Sequence, residues 1–462
     1  MVKTIQSVES LINEQREYFY SGQTKQISFR KQQLINLKNA VLKYEKEISQ
    51  ALYDDLHKSE FEAYATEIGL VLESLGFMIN NIDSWAKPVA VKTPIQFQPG
   101  KSFIVRDPYG VVCIIAPFNY PFQLVMEPLM GAIIGGNTAI IKPSEFSVHT
   151  TAIIKKIVNE TFQPHYVRVI EGEKELVQEL IHASFDYIFF TGSVEVGKLV
   201  MRAASDRLTP ISLELGGKSP VIIDHTANID VAAKRLVWGK FTNAGQSCTA
   251  PDYVYVHEKV YDALLQKLTL TLNEFFGENA SQNPDFGRII NERHFDRIAS
   301  LLEQDADKIS VGGTINRNEL YIEPTILENV TWKDAVMQEE LFAPILPLLK
   351  YRELREVIAE IRKIPKPLAA YLFSEDKKTI DYFLAELQFG GGCINDTMTH
   401  VGNVHLPFGG VGHSGINVYH GKASFETFTH PKSILKRSSK LASNLSFPPY
   451  KQKVKLVRKI IK

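Results

Sequence analysis

The chain has 462 residues, 44% of them hydrophobic, and its 52 basic residues balance 52 acidic ones. Such a length exceeds the usual ceiling for one core, so two or three domains are expected, and the charge balance excludes a whole-chain footprint for nucleic acid and leaves small molecules as partners. Its three cysteines, Cys113, Cys248 and Cys393, match neither a disulfide framework nor a Cys-x-x-Cys metal site, and the charged amino terminus, with no run of ~20 apolar residues anywhere, predicts a cytoplasmic protein without a transmembrane anchor.

From residue 1 to about 86, apolar residues recur at three- and four-residue intervals between charges, predicting helices that cover a sheet. In VKTPIQFQPGKSFIVRDPYG, alternating Ile95 and Phe97, then Phe103 and Val105, flank Pro99-Gly100 and predict two strands joined by a turn, a hairpin open to pairing with another subunit. Between Val111 and Glu214 the runs VVCIIAP, NTAIIKP, YVRVI, DYIFF and ISLEL read as strands that alternate with helical segments such as VHTTAIIKKIVNE. That rhythm predicts an open α/β sheet of the dinucleotide-binding kind. A second α/β block, expected to be catalytic, runs from Ser219 to about Asn395 with SPVIIDH, DYVYVHE and PLAAYLF as strands. The last twelve residues, KQKVKLVRKIIK, carry six basic and no acidic residues; a frayed, solvated terminus is expected, with contact to anionic lipid as the alternative.

Several short runs can carry chemistry. Cys248 lies in Gly245-Gln246-Ser247-Cys248-Thr249-Ala250-Pro251, 34 residues after Glu214 in Leu213-Glu214-Leu215-Gly216-Gly217-Lys218. A thiol with a pKa near ~8.5 must be made more acidic to attack, and a carboxylate is a base only beside the reacting water, so spacing alone makes this pair a candidate nucleophile and base. Thr191 to Lys198 turns a strand into a helix whose first N–H groups are placed to meet an anion, although an ordinary strand-to-helix turn explains the run equally well. Lys142 ends a strand before a helix that Ser144 is expected to cap, a usual setting for a solvated lysine, yet strand ends are also where nucleotides bind. Asn119, in the aromatic loop Pro117 to Phe122, is either a turn residue or a neutral donor aimed at a developing alkoxide. Glu339-Glu340 reads as a solvated acidic pair. His400, His405 and His413, near the glycine-rich run Leu406 to Gly415, lack ligand spacing, and no metal is expected.

GQSCTAPDY, LELGGKSP, PFNYP, IIKPSE, FTGSVEVG, EELFAP and LPFGGVGHSG occur in the order and approximate spacing of the aldehyde dehydrogenase superfamily, which the chain resembles over nearly its whole length, most closely in the class 3 branch of fatty and aromatic aldehyde enzymes. The resemblance implies an α/β fold with a Rossmann-type NAD-binding domain (1–93 and 109–212), an α/β catalytic domain (213–394), a small β bridging or oligomerisation element (94–108 and 395–445) and a basic tail (446–462). It implies Cys248 as nucleophile, Glu214 as the base for hydrolysis and Asn119 as oxyanion donor. Cofactor contacts carry over to Lys142, Glu145, Gly192, Ser193, Gly197, Leu215, Glu340, Phe342 and Phe118, with Gly197 also expected to serve helix packing. Tyr120 and Phe408 carry over as aldehyde-binding residues. A carboxylate at Glu145 near the 2′ position favours NAD, with NADP as the alternative because Lys142 offsets that charge. The partners implied are a small-molecule aldehyde and a second copy of the chain. A CoA-acylating enzyme and a non-catalytic protein of the same fold are the competing readings; Glu214 argues against the first and the retained Cys248, Asn119 and Glu214 against the second.

Overall fold

A computed structural model describes residues 7–440, 447–451 and 453–461. The first residues of the helical lead and the link 441–446 between the expected bridging element and tail lie outside the described residues.

Two large sheets form the body. In the first, the six strands lie in the order Gly415–Ile416, Ile211–Glu214, Tyr187–Thr191, Val111–Ile115, Thr138–Lys142 and Val167–Val169, all parallel except the two-residue edge strand Gly415–Ile416. All five strands expected between Val111 and Glu214 are present. Burial on both faces explains their unbroken apolar runs: Val112 and Ile114 enter a core with Leu34, Leu37, Leu52 and Leu75 of the amino-terminal helices, while Val111, Cys113 and Ile115 enter another with Ile12, Leu180 and Val200. The second sheet has seven strands, in the order Ile309–Val311, Thr325–Leu327, Ile345–Tyr351, Tyr253–His257, Pro220–Ile223, Ala369–Phe373 and Gly391–Ile394, with Ile309–Val311 alone antiparallel. Cys393 lies on the last of these, as expected.

The hairpin is displaced from its expected position. Its strands are Val89–Val91 and Gly100–Pro108, and Ile95–Phe97 forms a single 3-10 turn. Phe97 and Gln98 donate their N–H groups locally to Pro94 and Ile95 carbonyls, and Pro94 and Pro99 bring no N–H to a ladder. Strand Gly100–Pro108 instead pairs along its full length with Thr429–Arg437, giving a three-stranded antiparallel sheet whose outer strand is largely exposed. Ser144 is not the helix cap: the helix Val148–Thr161 starts after Ser147, and the Ser144 carbonyl accepts from the Ser147 and Thr151 hydroxyls. The sequence reading also passed over the helix Gln123–Gly135, buried at every position despite Pro128, because apolar residues all round leave no amphipathic period. In the tail, Lys453–Ile460 is helical rather than frayed. Among the described residues no helix is long and apolar enough to cross a membrane.

Candidate active site

The five parallel strands of the first sheet end along one edge at Ile115, Lys142, Val169, Thr191 and Glu214. Chain order reverses between Val111–Ile115 and Tyr187–Thr191, the switch point at which open α/β sheets leave a crevice. Glu214 closes its strand and Pro220–Ile223 opens the second sheet, so residues 215–219 cross between the sheets. Cys248 precedes the strand Tyr253–His257, and Glu340 precedes Ile345–Tyr351. The carboxyl edge of one sheet therefore meets the amino edge of the other. Asn243 Nδ2 donates to Asn119 O at 2.8 Å across the junction, and bonds on either side of it hold the flanking loops: Leu215 N to Ser414 O at 3.1 Å at the first sheet and Leu341 N to Asp252 Oδ1 at 2.8 Å at the second.

Cys248 sits in the wall of a cavity of about 670 Å³ that Tyr120 and Phe408 also line. Burial, then the charges of Glu340 and Glu214, push its thiol up to about 12, so the resting sulfur is protonated. Glu214 is almost fully buried, and neither carboxyl oxygen has a hydrogen-bond partner. Burial alone drives its pKa well above the ordinary carboxyl range. A carboxyl held this way is poised to take up a proton rather than to support structure. Glu340, pushed up to about 8 by burial first, folds against Gly216, where a Cβ would stand 2.0 Å from its Oε2. Only glycine leaves that space.

Asn119 is buried, and its carbonyl accepts from Lys58 Nζ as well as Asn243. Lys58, Glu67 and Asn243 were missed in the sequence because they act here through main-chain atoms of a distant loop, contacts that leave no residue-type pattern. Tyr120 is buried, its ring lining the cavity, and Phe408 stacks on His420 at 5.3 Å while presenting its other surface there. The chain further lines this cavity with Glu62, which burial raises to about 7 and whose Oε1 has no partner.

Lys142, expected as a solvated charge on local grounds, is buried and ion-paired with Glu145. Ser193 caps the helix Val194–Arg207 by accepting from Val196 N, and Gly192 N donates to Glu214 O, so this glycine's N–H is already engaged. A Cβ on Gly192 would meet the Phe190 ring at 2.6 Å, and one on Gly197 would meet Leu215 at 2.6 Å, which gives Gly197 and Leu215 the packing role. Thr191 Oγ1, buried at the strand tip, lacks a partner. This unsatisfied hydroxyl, the glycine step and the buried lysine, at the strand ends on either side of Val111–Ile115, fit a polar nucleotide at the switch point. Phe118 and Phe342 form an edge-to-face pair at 5.9 Å, joined by Phe146 and His294, which the sequence reading passed over. Phe342 holds a φ of 47°, an unusual conformation for an aromatic residue.

The histidines do not converge. His400 approaches Cys393 Sγ, His405 packs on Phe77 and His413 is exposed. Among the described residues no group of three His, Cys, Asp or Glu is placed to hold a metal ion.

Residues 3–434 match the model of the aldehyde dehydrogenase family. The chain is 54% identical over 455 residues to the 4,4'-diaponeurosporen-aldehyde dehydrogenase of Staphylococcus aureus, covering 98% of this chain and 99% of that one. Over 445 residues it is 42% identical to the dimeric NADP-preferring aldehyde dehydrogenase of Mus musculus, covering 96% and 98%. A solved substrate-bound state of Staphylococcus aureus AldH superposes with a TM-score of 0.98 at 53% identity, covering 99% of this chain and 100% of that one. The chain belongs to the aldehyde dehydrogenase family.

Proposed function

We propose that this NAD(P)-dependent aldehyde dehydrogenase oxidises medium- to long-chain aliphatic or aromatic aldehydes, with Cys248 as nucleophile, Asn119 as oxyanion donor and Glu214 as the hydrolytic base. The observation that carries this reading is the buried, unpartnered Glu214 carboxyl coupled electrostatically to the Cys248 thiol. Lys142, Glu145, Gly192, Ser193, Glu340, Phe342 and Phe118 hold the cofactor, with Leu215 and Gly197 packing beneath it. The Glu145 carboxylate would repel a 2′-phosphate, which supports NAD first, and its ion pair with Lys142 offsets part of that charge, which keeps NADP second.

Cys248, once deprotonated, attacks the aldehyde carbon, and the Asn119 amide with the Cys248 N–H stabilises the oxygen as it becomes an alkoxide. A nicotinamide held by these residues would supply the hydride acceptor needed to oxidise the cysteine adduct to a thioester. Glu214 then takes a proton from water as the water adds to the thioester carbonyl, and the carboxylic acid leaves as sulfur regains its proton. Buried without a competing donor, Glu214 meets no resistance to accepting it. CoA in place of water would make Glu214 dispensable. Measured NADH production over an aldehyde panel with NAD or NADP, with and without CoA, separates these readings; acyl-CoA as the sole product would overturn hydrolysis, and no NADH at all would leave a binding protein.

The cavity supports the substrate class. Phe61, Leu70, Leu124, Trp238, Phe275 and Phe276 line it, and its charged lining residues, Glu62 and Asp285, are both acidic. Neutral apolar chains fit such a wall and anionic aldehydes do not. We further propose the division into an NAD-binding part (1–93 and 109–212), a catalytic part (213–394) and an oligomerisation part (94–108 and 395–445), with homodimerisation through the exposed edge of the three-stranded sheet. A cytoplasmic location fits the reduced thiols. The helix Lys453–Ile460 supports peripheral contact with anionic lipid.

A further inference from the structure

Lys58 is the least expected residue in the interior. Its side chain is fully buried, and so is that of Glu67, 2.6 Å away. An ammonium withdrawn from water needs all three protons answered. Here one meets Glu67 Oε1, one meets Asn119 O at 3.0 Å, and the charge stands 4.1 Å from the centre of the Tyr120 ring. Glu67 is equally occupied: its second oxygen accepts from Phe122 N at 2.8 Å and Gln123 N at 3.1 Å. Between them the two side chains grip the main chain of residues 119, 122 and 123 and the ring of Tyr120.

Local structure explains how one short segment supplies both. Ser59 caps the turn Glu60–Ala63, fixing Lys58 just outside it, and the chain then widens into a π-turn, Tyr64–Ile68, that carries Glu67. Single π-turns inside helices cost hydrogen-bond geometry and concentrate where a side chain must be re-aimed. The Asn119 carbonyl also accepts from Asn243 Nδ2, whose second proton goes to Gln246 O at 3.0 Å, two residues before Cys248. The same carbonyl is thus the meeting point of the Lys58 segment and the nucleophile loop.

We propose that Lys58 and Glu67 are positioning residues: a buried clamp that fixes the loop Pro117–Phe122 so that the Asn119 amide is held at a constant offset from Cys248. The proposal rests on the reading of Asn119 as oxyanion donor. Neither residue touches the aldehyde carbon; both act through the loop. An oxyanion donor works only if it is already aimed where charge develops, and a displacement on the order of 1 Å costs up to about 100-fold in rate. Two donors on one carbonyl, a cation over the next ring and two amides tied to one carboxylate remove the loop's freedom before substrate arrives.

The test uses the neutral double variant Lys58→Met/Glu67→Gln, which leaves no unpaired buried charge, and the single variant Lys58→Gln, which keeps a donor. Single-turnover NADH formation in the double variant is expected to fall about 10- to 100-fold, with NAD affinity within about twofold, and Lys58→Gln is expected to lose less. Introduced into an Asn119→Ala enzyme, the double variant should cost less than about threefold, because the group it positions is gone. Equal losses in both backgrounds would overturn the proposal by making the pair a general support of the fold. An unchanged rate with Asn119 intact would overturn it as well. A normal rate in Asn119→Ala alone would remove the oxyanion reading instead; amide exchange over residues 117–123 then judges the clamp itself, which fails if the double variant exchanges no faster there than wild type.

Discussion

Two fully buried carboxyl groups lie close to the same site and are treated in opposite ways. Glu67 gives one oxygen to Lys58 and the other to two backbone amides, whereas Glu214 has no partner on either oxygen. Breaking a pair like Lys58–Glu67 from one side costs about 3–5 kcal/mol because a charge is left buried and alone. Glu214 has no such pair to break: burial raises its pKa well above the usual carboxylate range, so its carboxylate takes up a proton more readily than an ordinary one. One carboxyl has partners on both oxygens, as the proposed clamp requires; the other has none, as the proposed base requires. Placement near a reaction therefore does not define a role, and the number of answered hydrogen bonds does.

The largest effect expected from this contrast falls on the nucleophile beside the unsatisfied carboxyl. Cys248→Ala should abolish dehydrogenase activity while NAD binding, measured by titration, survives, because the thiol contributes to the covalent adduct and not to the dinucleotide contacts. Substantial turnover would sink the mechanism. Next comes Glu214→Gln, which keeps the shape and removes the proton acceptor. Rapid mixing with NAD and aldehyde should give a burst of NADH near one equivalent per subunit and then slow turnover with a Cys248 thioester accumulated. A normal steady-state rate excludes Glu214 as the base, and a folded variant without a burst moves its role to thiol activation.

The pH dependence sharpens the same comparison. A base must be deprotonated, and the folded environment raises Glu214, so the acid limb of the hydrolytic step should lie above the ordinary carboxyl range and vanish in Glu214→Gln. The thiol, at about 12 in the resting site, loses its proton more readily as pH rises, so the acylation rate should climb by up to about tenfold per pH unit through neutrality in both enzymes. A flat acylation profile would mean that the cofactor-bound site lowers the thiol well below its resting value.

Much of this arrangement was legible in the residues, and the exceptions have physical causes. All five strands from Val111 to Glu214 appeared as short apolar runs because both faces of that sheet are buried. Cys248, Glu214 and Asn119 stood out through their flanking motifs; Cys248 lines the cavity, the Glu214 charge acts on its thiol, and the Asn119 carbonyl is tied to Asn243, five residues before Cys248. Ile95 and Phe97 misled because alternation marks a strand only where ladder donors exist, and two prolines intervene. Lys58 and Glu67 were invisible for a different reason. Their partners are main-chain atoms some sixty residues away, and a contact with a carbonyl or amide leaves no residue-type signature.

A smaller effect concerns what the cavity excludes. Its lining carries Glu62 and Asp285 and no lysine or arginine, so at alkaline pH, where Glu62 with its raised pKa of about 7 is ionised, kcat/KM for a neutral aldehyde should exceed that for a semialdehyde of equal chain length bearing a carboxylate by about 10-fold or more, a penalty of roughly one like-charge contact. Glu62→Gln should narrow the gap without changing the rate on neutral alkanals. If acetaldehyde or an anionic semialdehyde gave the highest specificity constant, the substrate class proposed would be wrong.

The smallest effect is expected at the tail, whose helix buries none of its residues. In the helix Lys453–Ile460, Val454, Leu456, Val457 and Ile460 fall on one side at 100° per residue together with Lys453, whose Nζ donates to Phe447 O, while Lys455, Arg458 and Lys459 fall on the other, and Phe447 and Tyr450 are exposed just before the helix. A basic amphipathic helix of this length binds an anionic bilayer weakly, with about 1 kcal/mol from each basic residue near the surface at physiological salt. Full-length protein should therefore sediment with phosphatidylserine vesicles more than protein ending at residue 445, the difference should shrink as salt rises, and turnover of a soluble aldehyde should be the same for both. Equal sedimentation would reject the lipid contact; loss of turnover on truncation would tie the tail to the catalytic body instead of to a surface.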